Sequence, residues 1–188
     1  MVDFSTHEFV VLRETIRARG GARILSFLAG MASWALLLIL VLVWIPNPVA
    51  AVIPLLVLVA TFEVVRVLHL VVERIGRYLQ VFYEERGETA SLAPPAWERA
   101  AMQFGPSVPG AGGHPLFLPI FLLATIANTL AIVFPGPLRV EAITLAVPHL
   151  AFVGWMIYCD RGMRQQRASD LARYRALRDT AMPDRARP

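Results

Sequence analysis

The sequence predicts an all-α integral membrane protein with four transmembrane helices arranged as two hairpins, amphipathic cytoplasmic helices at both ends, and a long second helix extending into the cytoplasm. Three observations predict it. The 188-residue chain is 56% hydrophobic and 17% charged, with mean hydropathy +0.56, too few charges to cover a soluble domain of this length. Its apolar runs each approach the roughly 20 residues a helix needs to cross about 30 Å of hydrocarbon. Its arginines crowd the flanks of those runs.

Residues 1–23 read as a cytoplasmic amphipathic helix. Ser5 to Glu8, "STHE", fits a capping box, Phe9, Leu12 and Ile16 share a face, and Gly20 and Gly21 supply a stop before the membrane. Its arginines suit anionic head groups on the inner surface. A secretory signal peptide is the competing reading, and it fails because the apolar core is too long and a polar segment precedes it.

Residues 24–86 form the first hairpin with its helical extension. The spans run from Ile24 to Ile45 and from Val49 to about Val72, reversed by "PNP" at Pro46 to Pro48, which removes backbone donors. In the first span Ser26, Gly30 and Ser33 lie near one another on a small-residue face, which suits close helix packing within the chain or between copies.

The second helix continues past the bilayer, because Glu63, Arg66, His69, Glu73, Arg77, Gln80 and Glu84 recur at helical steps up to Arg86. His69, Glu73, Arg77 and Glu84 make a cytoplasmic charge stripe of alternating sign. Glu63 falls about 9 Å inside the hydrocarbon boundary, where a lone carboxylate is expensive, and Arg66 one turn away neutralises it.

Residues 87–115 form a cytoplasmic loop rich in Pro and Gly, with one short helix over 95–104 and Trp97 as a head-group anchor or protein contact. Residues 116–159 form the second hairpin, with spans from Leu116 to Phe134 and Leu138 to Cys159 around "PGP" at Pro135 to Pro137. Asn128 and His149 lie at similar depths, about 12 and 15 Å from the outer surface, close enough for a hydrogen bond if their faces meet. Pro148 frees a carbonyl and predicts a kink. Residues 160–188 form a basic tail with a weak apolar face at Met163, Leu171, Tyr174 and Leu177, either a lipid anchor or a docking surface.

Charge sets the orientation. All 18 basic residues are arginine; four precede the first span, four follow the second and eight follow the fourth, whereas the two outer turns offer only Arg139. The positive-inside rule then places both termini and the middle loop in the cytoplasm, across a bacterial inner membrane. Topology accounts for the net charge of +4, so nucleic acid is not an expected partner. Cys159 is the only cysteine, which excludes an intramolecular disulfide and a cysteine metal cluster.

Glu63, Arg66, Asn128 and His149 are the candidate intramembrane polar site. No catalytic residue, metal ligand set or cofactor motif emerges. The function expected is a non-catalytic assembly, scaffold or signalling component, with the lipid bilayer and either a protein partner or a second copy as its contacts. A small oligomeric proton- or cation-coupled transporter or channel using Glu63 is the alternative, and a membrane-disrupting effector is a third.

Overall fold

The computed structural model describes residues 4–45, 47–84, 116–134, 136 and 139–181, and every regular element among them is helical. In chain order they are α1 (Phe4–Trp44), a 3₁₀ turn (Pro48–Ala51), α2 (Val52–Leu79), a π-turn (Gln80–Glu84), α3 (Leu118–Asn128), α4 (Leu130–Val133) and α5 (Arg139–Ala181). Three helical stretches are long and apolar enough to cross a membrane, His7–Trp44, Pro48–Tyr83 and Arg139–Thr180, while Leu118–Val133 is a shorter apolar stretch. Residues 87–115, where a short helix over 95–104 and an anchoring Trp97 are expected, lie outside the described residues.

Three local expectations are revised. The stop at Gly20 and Gly21 is absent, because α1 runs through both glycines without a break. A glycine costs only about 1 kcal/mol against alanine in a helix interior, too little to end a helix that continues on both sides. Ser5 is already helical, so the helix starts before the anticipated cap. At the other end, α5 carries straight through Cys159 to Ala181, so the tail is a continuation of the fourth apolar segment as far as it is described. Pro148 sits inside that helix without ending it.

The third segment is shorter and interrupted. Thr129 separates α3 from α4; its N–H donates to Ile126 O at 3.0 Å and its hydroxyl to the same oxygen at 2.6 Å, which draws the chain into a tighter i−3 turn. Ahead of α3, Phe117 adopts the left-handed conformation (φ 51°, ψ 30°), uncommon for a bulky residue. The second helix opens as a 3₁₀ turn at Pro48 and closes as a π-turn at Gln80, so its regular α geometry is shorter than the run from Val49 to Arg86; Arg86 lies outside the described residues.

Turn chemistry explains the first reversal. Asn47 is extended (φ −126°, ψ 118°) and its side-chain oxygen accepts the Val49 N–H at 2.9 Å, with Pro48 at the first position, where its missing donor costs nothing. In the second reversal Gly136 takes φ 67°, a conformation glycine adopts without steric penalty; its proline neighbours lie outside the described residues.

The chain divides into two compact units, and α1, α2 and α5 each contribute to both. The first, the apolar unit, comprises Gly21–His69 and His114–Arg161. Phe62 is fully buried and meets Phe121 and Phe152 edge-on, at centroid distances of 5.4 and 5.8 Å. Phe27 stacks on Phe117 at 4.1 Å and meets Phe121 at 5.7 Å. A second cluster gathers Leu38, Val41, Ala51, Ala131, Ile132 and Leu145 beneath Trp34. Gly30 is used within the chain, since a Cβ there would overlap the Thr61 side chain. That contact assigns one position of the small-residue face to packing between α1 and α2. Leu36, Val43, Val133, Ile143 and Leu150 lie on the exposed surface of the unit.

The other unit, hereafter the three-segment unit, comprises Met1–Gly20, Leu70–Gly113 and Gly162–Pro188. Its described core pairs the start of α1 and the end of α5 with the end of α2 and the π-turn. Tyr78, Phe82, Tyr83, Phe9 and Tyr174 form a chain of ring contacts with centroids 4.7–6.4 Å apart. Leu79 and Val81 are fully buried.

Candidate functional site

In the apolar unit the polar residues gather into three groups. The first joins α2 to α5. Arg66 donates to Glu63 Oε2 through Nε at 3.0 Å and Nη2 at 2.6 Å, and the Trp155 indole donates to Glu63 Oε1 at 2.5 Å. The guanidinium carbon of Arg66 lies 5.8 Å from the Trp155 ring centroid. The three-residue spacing on one helix face dictates the ion pair; Trp155 could not be placed from the sequence, because periodicity reports a face and not the residue opposite it.

The second group is buried where α1, the 3₁₀ turn, α3 and α5 meet. Asn128 Oδ1 accepts from Trp34 Nε1 at 3.2 Å, and Asn128 Nδ2 donates to Ala51 O at 2.9 Å and to His149 Nε2 at 2.9 Å. An amide nitrogen can only donate, so His149 Nε2 accepts. The hydrogen on the imidazole is then on Nδ1, which donates to Leu145 O at 2.8 Å. Both amide hydrogens and both ring nitrogens are therefore spent. Asn128 is fully buried and His149 nearly so. The contact anticipated from matched depths is present; Trp34 and the Ala51 carbonyl are the members that depth counting missed. Thr125, also buried, donates to Phe121 O at 2.7 Å.

The third group is His69, whose Nδ1 accepts from Arg23 Nη1 at 2.8 Å. A guanidinium has no acceptor, so the direction of that bond is fixed. His69 thus bonds across to α1, a partner that its place in the charge stripe did not foretell.

The remaining stripe residues belong to the three-segment unit. Arg77 is 2% exposed and donates to Asp170 Oδ2 at 2.6 Å and to Glu73 Oε2 at 2.9 Å. Asp170 is buried too, so α2 and α5 share an ion pair removed from solvent. Glu84 lies in the π-turn, and its side chain is outside the described residues. Glu8, ahead of the apolar run from Ile24 to Ile45, accepts from Tyr83 at 2.5 Å and Tyr78 at 2.9 Å. The Tyr83 hydroxyl, and then that of Tyr78, hold its carboxyl below the usual carboxylate range.

No family model, curated protein or solved structure matches this chain. The site must therefore be read from its own chemistry. Among the described residues no group of three or more His, Cys, Asp or Glu side chains is arranged to hold a metal ion. The polar groups of the apolar unit instead join separate segments: α2 to α5 through Glu63, α1 to α2 through His69, and four segments at Asn128. Asp170, which the sequence reading did not single out, is an acid interrupting an arginine run, which was the available signal; Glu8, read there as a capping-box member, bonds instead to the Tyr78 and Tyr83 hydroxyls.

Proposed function

We propose that this chain is a non-catalytic, four-span protein of the inner membrane, with both termini and the middle loop cytoplasmic, and that its three-segment unit is a platform for assembly or signalling. The observation that carries the reading is the buried Arg77–Asp170 pair, with Glu73 as its second acid. A buried ion pair with two acidic partners fixes register between segments more than it adds stability. Together with the Glu8 hydroxyl contacts, it presents exposed arginines of the end of α5, Arg173 and Arg175 among them, on a defined scaffold. The short Leu118–Val133 stretch serves as the third span, its ends eased by local thinning of the bilayer. A transport role for Glu63 has less support, because Arg66 neutralises its charge and Trp155 bonds its other oxygen.

Two experiments test the proposal. In a Cys159→Ser background, cysteines at Asn47 and Gly136 should label from outside the cell and one at Ala100 should not; external labelling at Ala100 overturns the topology. Purification of the full chain in mild detergent should retain a stoichiometric companion that Arg173→Glu releases. A pure homo-oligomer whose proton uptake is abolished by Glu63→Gln would instead establish the transporter.

A further inference from the structure

The geometry points to a binding site for a phospholipid with a zwitterionic, primary-ammonium head group, formed by Glu63, Arg66, Trp155 and Tyr158 on the surface of the apolar unit. The inference rests on the membrane reading above and concerns which lipid that membrane must supply.

The Glu63–Arg66 pair is not sealed inside the unit. The side chains of Glu63 and Arg66 are 31% and 24% exposed, and Val64 and Val67 beside them are about half exposed. An ion pair therefore opens onto a surface whose neighbouring residues on α2 are valines. Tyr158 is 69% exposed and stacks on Trp155 at 5.6 Å with an interplanar angle of 23°. Aromatic rings with a polar edge favour the head-group level of a bilayer, to which Arg66, one turn nearer the inner boundary than Glu63, can snorkel in the proposed topology.

The remaining hydrogen-bonding capacity of the pair defines the ligand. Arg66 bonds to Glu63 through Nε and Nη2, which leaves the Nη1 end of its fork for an anionic oxygen. Glu63 Oε1 accepts one bond, from Trp155, and a carboxylate oxygen can accept a second. The site thus offers a donor for a phosphate and an acceptor for an ammonium a few ångströms apart, and its net charge is zero. A phosphoethanolamine head group carries the complementary pair at a similar separation. An anionic glycerol head group would satisfy Arg66 but has no cation to offset its phosphate beside Glu63 or to meet that carboxylate. A choline head group could rest on the Trp155–Tyr158 stack through cation–π attraction, but it has no N–H to give Glu63.

The test uses the full chain, extracted in mild detergent, exchanged against an equimolar mixture of phosphatidylethanolamine, phosphatidylglycerol and phosphatidylcholine with identical acyl chains, and read by native mass spectrometry. The wild-type protein should retain the ethanolamine lipid about tenfold over each of the others, the factor carried by one charge-assisted hydrogen bond of ordinary strength. Glu63→Gln should erase the preference over choline. Tyr158→Ala, at an exposed position, should lower ethanolamine-lipid retention even if Glu63→Gln fails to fold. Equal retention of the three lipids, or a preference unchanged in both variants, overturns the inference. Carbonate extraction of cell membranes keeps the two claims apart: a protein that washes off refutes the membrane reading and the lipid site with it, whereas one that stays but shows no head-group preference refutes the lipid site alone.

Discussion

Replacing Arg77 by leucine is expected to destabilise the three-segment unit by about 3–5 kcal/mol, the range for removing one partner of a buried ion pair. The side chain is buried against Asp170 and Glu73, and its loss strands the Asp170 carboxylate, itself 8% exposed, without the only cation bonded to it among the described residues. Asp170→Asn keeps an acceptor for Arg77 and leaves Glu73 as the counter-charge, so it should cost clearly less. Thermal unfolding in detergent, followed by tryptophan fluorescence together with protease sensitivity of the α5 tail, measures both. Equal, small effects would show that the pair is solvent-screened and does not hold the segments.

Asn128→Leu should have the second large effect. It preserves bulk but leaves three groups without their partner: the half-buried Trp34 indole N–H and the buried Ala51 carbonyl and His149 Nε2. Each buried group left unpaired costs about 1–3 kcal/mol in water-soluble proteins. Bonds between membrane helices average nearer 0.6 kcal/mol, because the separated helices find other partners, so the lower end of that range applies to each. Asn128→Asp retains Oδ1 for Trp34 but can no longer donate to both Ala51 and His149. The expected order of melting temperature is wild type, then Asp, then Leu. A Leu variant as stable as wild type would mean that water already serves these groups.

Much of this architecture was legible because its signals are local. Apolar runs of bilayer length, Asn47 followed by Pro48, and Glu63 three residues before Arg66 each contain their own physical cause within one turn or one span. Glycine was over-read at Gly20 and Gly21, where a penalty of about 1 kcal/mol each was treated as a terminus although α1 continues on both sides. Thr129 was under-read, since a hydroxyl that turns back to Ile126 O leaves no mark on hydrophobic periodicity.

The partners of the polar residues were the least legible part. Trp155 lies 92 residues from Glu63, and Asp170 lies 93 residues from Arg77. A helical register states which face a residue occupies, but the residue opposite depends on how α2 and α5 are rotated against each other. Asn128 and His149 were an exception, because two polar residues at similar depth in otherwise apolar segments have few alternatives.

The central claim is that α2 remains ordered beyond residue 70 because α1 and α5 pack on it through the Glu8 and Arg77 contacts. Amide hydrogen exchange of the full chain in nanodiscs tests it most directly, read at residues 73–83 of α2 and the π-turn and at residues 168–177 of α5. Slow exchange in both stretches, lost together in Arg77→Leu, is the predicted result. Exchange in the wild-type protein at the rate of an unstructured chain in either stretch would contradict it.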